Sequence, residues 1–570
     1  MQIKTALDKL NTSSYKTYQT RIFWFSLSLT FSAIYSLLGL REAFSAEYIV
    51  QDDARQHVFW MQRFLEPNLF PKDLIADYFQ SVAPAGDTAL YQAIAHLGIE
   101  PLLLSKLLPG LLGLVSTAYC FGVCIQLLPV PAAGFIATLL LTQSLWLKDD
   151  LVSATPRAFI YPIFLAFLYY LLRRSLLLSC VAIALMGLFY PQGLFIAAII
   201  LILRLLHWRR KLPQLSLNRN DYLFCAVGLG VAVLVMLPFV LKTSVFGPTI
   251  TAAVARNLPE FLPGGRSAFF FDNPFDYWLF NYRSGFLPIR PVVLAVGLLL
   301  PILVRFPSYF PLTQQITRNV AILPQTAIAS AVMFFAAHAL LFKLHLPSRY
   351  SEHSLRIVLA LAAGITFTVL WDTLRQAYRQ RVLVLTAVAL LGIALLFYPS
   401  FDKNFPNTKY KVGNFPSLYH FFQAQPKDSL IASLSEEANN LPTFAKRSIL
   451  VGREYAIPYH QGYYRQIQQR TLDLIQAQYS PNLAIVKSFI QQYGVDFWLL
   501  EQEAFTPEYL IRSRWLRKFP VAKASITQLQ ESITPALSSF KQPCTVFEIK
   551  NLAVLQTACI LETSGALHRK

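Results

Sequence analysis

Long apolar runs recur along most of this chain, and they constrain it more than any motif does. A helix needs about 20 mostly apolar residues to cross the hydrocarbon core of a bilayer. Eleven stretches of that kind can be read, at 22–40, 101–125, 130–147, 155–172, 175–190, 191–206, 221–241, 290–304, 319–342, 355–371 and 382–398. The pair at 175–206 reads as a tight hairpin around Tyr190-Pro191-Gln192-Gly193. Hydrophobic residues make up 55% of the 570 and charged residues 14%, which is the balance of a polytopic α-helical membrane protein. The first run is too long for a signal peptide and lacks a small-residue cleavage site, so it reads as an anchor.

Positive charge then sets the orientation, because short basic loops stay cytoplasmic. Lys4, Lys9, Lys16 and Arg21 precede the first run. Arg173-Arg174, the run His207-Trp208-Arg209-Arg210-Lys211, Arg305 with Arg318, and Arg375, Arg379 and Arg381 fall in alternate loops on that same side. Residues 1–21 are therefore expected in the cytoplasm, 22–400 as the transmembrane module, and 401–570 outside. Topology accounts for most of the net charge of +19, so the expected partners are membrane lipids and not nucleic acid. Lys148, Arg157, Arg256, Arg266, Arg283, Arg290, Lys343, Arg349 and Arg356 are basic residues on the outer side. They either snorkel at the interface or, as a group near carboxylates, hold an anionic phosphate.

Three segments extend beyond the apolar runs. The first outer loop, 41–100, carries Ala54, Val58, Met61 and Leu65 at helical spacing after Asp53. Phe59, Trp60 and Phe64 suit a helix lying at the headgroups, Leu69-Phe70-Pro71 breaks it, and a second half-buried segment is expected around Ile75 to Phe79. The outer loop at 242–289, with Phe269-Phe270-Phe271 and Tyr277-Trp278, is a candidate lid contacting lipid or an apolar ligand. The last segment mixes short strands at Ser429–Ser433, Ser448–Val451, Val495–Leu500 and Thr545–Ile549 with a helix opened by Ser480-Pro481, which predicts an α/β domain. Cys544 and Cys559 are the only two of six cysteines outside the apolar helices, and an oxidising compartment permits them to form a disulfide.

Two adjacent carboxylate pairs face the outer side, Asp52-Asp53 in the first loop and Asp149-Asp150 in a very short turn. Such carboxylates take a proton from an acceptor as general base or ligate a divalent cation such as Mg or Mn. No ligand spacing in the chain is diagnostic of a metal. His57 shares a helix face with Asp53. Equally, an aspartate before a helix is a common cap, and Ser153 or Thr155 offers the same service before Pro156. Arg349 lies in the polar cluster 343–353, which also suits a lock between two helix ends. The segment Arg453-Glu454-Tyr455-Ala456-Ile457-Pro458-Tyr459-His460 is distinctive and reads as a packed turn on the domain surface.

An aspartate pair in a long first outer loop, a second acidic outer turn and a soluble region after the last span together resemble the GT-C class of integral-membrane glycosyltransferases. That class includes protein O-mannosyltransferases, aminoarabinose transferases and oligosaccharyltransferases. The resemblance covers about 20–400 and implies an inverting transfer of a sugar from a polyprenyl-phosphate donor to an extracytoplasmic glycan, lipid or protein, at a bacterial plasma membrane. It implies Asp53 or Asp52 as the base, with Asp53 favoured because it begins the face carrying His57. Asp149, Asp150 and His57 would place the acceptor or a metal, and Arg349, Arg157 and Lys343 would hold the donor phosphate. The class often has Asp-Glu or a spaced acidic pair where this chain has Asp-Asp. A transporter or flippase is the alternative, although ion-coupled carriers keep charged groups at mid-membrane and these runs are nearly free of acids. A non-catalytic scaffold with an outer binding domain is a further one.

Overall fold

The computed structural model describes residues 2–209, 212–241, 244–287, 292–377 and 382–562. Arg210, Lys211, Arg290, Arg379 and Arg381 of the basic segments lie outside the described residues. The chain opens with α1 (Gln2–Ala43), β1 (Ile49–Gln51) and α2 (Asp52–His57), followed by α3 (Leu74–Val82) and α4 (Ala85–Ala95). Five helices then run nearly end to end: α5 (Pro101–Leu127), α6 (Pro131–Trp146), α7 (Ile160–Leu172), α8 (Leu176–Phe189) and α9 (Pro191–Leu203). A hairpin of β2 (Leu206–Arg209) and β3 (Leu212–Leu215) leads to α10 (Arg219–Leu241). After α11 (Ala252–Ala255) come α12 (Leu300–Arg305), α13 (Ile322–Ala339), α14 (Glu352–Ala377) and α15 (Val382–Phe397).

Among the described residues five helical segments are long and apolar enough to cross a membrane, Tyr18–Ala43, Pro101–Leu127, Arg219–Leu241, Arg318–Ala339 and Pro347–Arg375. Shorter apolar helices of 10–17 residues include Pro131–Trp146, Pro156–Leu172, Leu176–Phe189 and Pro191–Leu203. Every apolar stretch read from the sequence falls on a helix of one group or the other, and the composition with the five long helices makes this a multi-pass membrane protein. At the centre α14 packs on α6, while α1 packs on both α5 and α6. The α14–α6 approach is close because Gly364 has no side chain: a Cβ there would sit 2.6 Å from the Ala137 Cβ.

The first loop differs from the expected surface helix. In place of one helix from Asp53, the short α2 and a following 3₁₀ segment (Phe59–Phe64) form. Phe59 and Trp60 are fully buried, not aimed at headgroups. Phe59 meets Phe70 and Tyr455 edge-on at 5.3 and 5.5 Å. An aromatic run suits a protein interior as well as an interface, and here the C-terminal region supplies that interior.

That region begins at β4 (Tyr410–Val412), which pairs antiparallel with β1 in the register Ile49↔Val412, Gln51↔Tyr410. Beyond it stand β5 (Leu430–Ala432), β6 (Ser448–Ile449), β7 (Phe497–Glu501), β8 (Thr545–Ile549) and β9 (Leu552–Gln556). They form one mixed sheet in the order β6-β5-β7-β9-β8. Several elements go beyond the sequence reading, among them β9 and the helix Gln461–Tyr479. The helix Leu483–Tyr493 starts two residues later than expected, capped by Asn482, whose side chain accepts from the Ala484 N–H. It ends at Gly494, in the left-handed region at φ 63°. Cys544 and Cys559 form a disulfide with Cα atoms 5.6 Å apart.

The segment 244–287 is tied down along its length. Its backbone bridges the C-terminal region between Thr249 and His460, and Gly462 N–H donates to the Phe246 carbonyl at 2.8 Å. Phe269 is fully buried with Phe261 and Phe342 in a small separate cluster, so at this position the phenylalanine run packs inward and does not face lipid.

Candidate active site between the first loop and the turn after α6

The β1–β4 ribbon sets where α2 begins, because the Asp52 N–H donates to the Lys409 carbonyl just before β4. Neither aspartate caps α2. The Gln51 side chain does, accepting from the N–H groups of Asp53 at 2.8 Å and Ala54 at 3.2 Å. With the cap supplied, both carboxylates are free to point elsewhere, and they diverge. Asp52 folds back on its own helix, accepting from Arg55 Nη2 at 2.8 Å. Burial raises its pKa, with Arg55 opposing. Asp53 faces across to the turn 147–155, where its Oδ2 pairs with the Arg157 guanidinium. Burial pushes the Asp53 carboxyl up, but Arg157, then His57, Arg266 and Arg349, outweigh it and hold the carboxyl below its ordinary value. Burial brings His57 down to about 4, so the ring is neutral near pH 7. It packs edge-on against Phe79.

The turn after α6 is likewise held by groups other than its acids. Ser153 Oγ donates to the Asp150 carbonyl at 2.7 Å and accepts from the Thr155 N–H at 3.3 Å, while Tyr91 donates to the Ala154 carbonyl at 2.9 Å. Asp149 and Asp150 are thereby left to face cations. Arg157 Nη2 lies 3.4 Å from Asp149, and its Nη1 lies 3.3 Å from Asp150. One guanidinium thus contacts three carboxylates from two loops. Lys409 adds a rim contact to Asp149 at 3.5 Å.

Asp150 is completely buried. Arg356 Nη1 is 3.3 Å from it, Lys148 Nζ 3.8 Å, and the Tyr161 hydroxyl donates to it at 3.2 Å. Burial alone would raise its pKa, yet Lys148, Arg157, His353 and Arg356 depress it well below the carboxylate range. Lys148 also pairs with Glu352, and burial pulls its ammonium down to about 7 against the pull of Asp150. Glu352 further meets Arg356 at 3.4 Å and Arg349 at 3.5 Å. Asp150, Glu352 and His353 bring ligand-type atoms within 4.8 Å of one another.

Of the residues singled out from the sequence, Asp53, Asp149, Asp150 and Arg157 are in direct contact. Asp52 lies on the far side of α2 with Arg55. Arg349 joins through Glu352, whereas Lys343 is exposed and has no ion pair among the described residues. Lys148, Glu352, His353 and Arg356 also belong to the cluster, although none is named as a site residue in the sequence reading. The spacing of Glu352 and Arg356, one helical turn apart on α14, was the available signal. Glu454 is another such residue. Its carboxylate accepts from Gln56 and from Arg266, each at 2.8 Å, and neighbouring Tyr455 is fully buried. The segment 453–460 is therefore docked against the first loop and is not a surface turn.

The fold is that of the GT-C glycosyltransferases. Archaeal oligosaccharyltransferase AglB from Archaeoglobus fulgidus, in complex with an inhibitory peptide and a dolichol-phosphate, superposes at a TM-score of 0.54 with 11% identity over 88% of this chain and 72% of that one. An Archaeoglobus fulgidus oligosaccharyltransferase in complex with Zn and sulfate gives 0.51 with 12% identity, covering 87% and 70%. Arabinofuranosyltransferase AftD from Mycobacteria, at 0.48 with 13% identity over 83% of this chain and 36% of that one, is a looser neighbour. ArnT from Cupriavidus metallidurans bound to undecaprenyl phosphate is another, at 0.45 with 13% identity over 93% and 97%. No protein-family model matches the chain, and no curated protein matches it by sequence.

Proposed function

We propose that this protein transfers a sugar from a polyprenyl-phosphate donor to an acceptor hydroxyl or amine on the extracytoplasmic side of a bacterial membrane. The observation that carries the reading is the placement of Asp53. It is an ionised carboxylate directed at the junction of the first loop and the turn after α6, with Arg157, Arg266 and Arg349 acting on it, on a GT-C fold. The likeness to an archaeal oligosaccharyltransferase in complex with a dolichol-phosphate supports the lipid-linked donor. The likeness to an Archaeoglobus fulgidus oligosaccharyltransferase tethered with an acceptor peptide supports an acceptor site in the same fold.

In this reading Asp53 takes the acceptor proton as the acceptor oxygen or nitrogen attacks the anomeric carbon. The bond from that carbon to the phosphate oxygen breaks, and polyprenyl phosphate leaves with the electron pair. A single displacement inverts the anomeric configuration. Arg349, which meets Glu352 at 3.5 Å, and Arg266 are the cations proposed to stabilise the leaving phosphate. The eleven apolar helices all span in this arrangement, with the N-terminus cytoplasmic and 401–570 outside, and the segment 244–287 borders the acceptor entrance. The test is the lipid-linked and envelope glycan profile of a strain lacking the protein, with add-back of wild type or Asp53→Asn. Accumulation of one polyprenyl-phosphate sugar, restored by wild type and not by the variant, is the expected result; an unchanged profile refutes the reading.

A further inference from the structure

The acidic cluster has the donor types of a divalent-cation site, and solved neighbours include one in complex with Zn. The donors here do not fit such an ion. A metal-binding histidine must offer a ring nitrogen lone pair to the ion. Both His353 nitrogens are taken, Nδ1 by the Tyr161 hydroxyl at 2.9 Å and Nε2 by the Tyr190 hydroxyl at 3.2 Å. The carboxylates are equally engaged. Lys148 pairs with both Asp150 and Glu352, and Arg356 reaches the same two with its two terminal nitrogens.

The same holds on the catalytic side, where the Arg157 guanidinium contacts Asp53, Asp149 and Asp150. Charge gives an independent argument. Four carboxylates, Asp53, Asp149, Asp150 and Glu352, face five cations, Lys148, Arg157, Arg349, Arg356 and Lys409. Burial brings Lys148 down to about 7, so near neutral pH it is only partly charged, and the other four cations already balance the four carboxylates. A divalent ion would leave at least two positive charges unbalanced in a largely buried space, which is costly.

We propose that Arg157 stands where a divalent cation would otherwise join the first-loop carboxylate to the two carboxylates after α6, so that this protein binds no metal at that place. A guanidinium suits the task because it is permanently charged and planar, and it presents several donors at fixed angles to carboxylates from different segments. Arg157 is thus a positioning residue for Asp53. It fixes the carboxylate against the turn and keeps it ionised. The sequence also gives the cation a rigid mount, since Arg157 follows Pro156 in a short 3₁₀ turn leading into α7.

The binding claim stands apart from the transfer reading and can be tested without it. Purified full-length protein is assayed for bound Mn, Mg and Zn by elemental analysis, and its thermal unfolding is followed with EDTA and with added MnCl₂. The expected result is no stoichiometric metal and an unchanged Tm in all three conditions. A stoichiometric divalent ion, or a Tm that falls with EDTA, overturns the proposal. Arg157→Gln, which removes the charge at similar size, is expected to gain a Mn-dependent rise in Tm that wild type lacks, and Arg157→Lys to remain indifferent to Mn. If Arg157→Gln does not accumulate, the wild-type measurements still decide the question. A folded Arg157→Gln that ignores Mn shows that the place is not a cation site and also overturns the proposal. Should a transfer assay be established, its rate is expected to be unchanged by EDTA. Absence of any transfer would count against the catalytic reading alone.

Discussion

Arg157 meets Asp53 across two segments 104 positions apart in sequence, and this contact joins the first loop to the turn after α6. The pairing explains why the two first-loop aspartates, adjacent in sequence, differ so much in environment. Asp52 answers to Arg55, three residues along the same helix. Asp53 answers to a residue of another segment, Arg157. Only the second holds a carboxylate in contact with a group from the other segment, and this is why the proposed reading gives the base role to Asp53.

Replacing Asp53 by Asn keeps the size and removes the base. Transfer is expected to fall by about 10²–10⁴-fold, the usual contribution of a general base. Asp52→Asn is expected to cost far less, since its loss releases only Arg55, which retains its bond from Nη1 to the Asn440 side chain at 2.7 Å. Rates measured with a polyprenyl-phosphate sugar check the difference. Equal losses in the two variants would remove the assignment.

Arg349→Ala is expected to weaken donor use by roughly 10–100-fold, the range of one lost hydrogen bond to a charged group. The change should fall mainly in the KM for the lipid donor. Lys343→Ala should leave both kcat and KM unchanged within about twofold, because a solvated, exposed ammonium contributes little. Titrating the donor at fixed acceptor separates the two. A large effect from Lys343 would return it to the phosphate site.

Hydropathy and charge made the helical frame and both acidic pairs legible in the sequence. What they could not show is partnership over distance. Glu454 is 398 residues from Gln56, and Asp150 is 206 from Arg356; no local period encodes either. The cap at Gln51 escaped notice because aspartate is the commoner cap residue, so the acids drew the role that a neutral side chain fills. Phe59 and Trp60 were misplaced at the headgroups for a different reason. Lipid and protein interior are equally apolar, and only the packing of Tyr455 over the first loop decides between them.

The disulfide closes a loop of 15 residues between Cys544 and Cys559 at the edge of the mixed sheet. A loop of that length is worth about 3 kcal/mol through the entropy of the unfolded chain. Cys544→Ala with Cys559→Ala is therefore expected to lower the unfolding transition of the C-terminal region by several degrees. Transfer at low temperature should be retained, as neither cysteine is among the ion-pair residues of the cluster. Circular dichroism of wild type with and without reductant gives the same comparison without mutation, and identical melting curves would show that the bridge does not stabilise the region.

Asp87 makes a prediction about pH. It is almost fully buried on α4, its Oδ1 has no hydrogen-bond partner among the described residues, and burial raises its pKa from 3.8 to about 8. Between these values the folded protein keeps a proton that the unfolded chain has released. Stability from this group is therefore fully present below about pH 4 and is lost progressively as pH rises through about 8. The loss can reach about 6 kcal/mol, by the free energy of one pKa unit applied to that shift. Asp87→Asn cannot ionise and escapes it. The variant is expected to match wild type in Tm near pH 4 and to exceed it increasingly toward pH 8. Thermal unfolding across that range checks the sign, and a gap that is constant with pH, or that narrows toward pH 8, would show that Asp87 does not carry the proton.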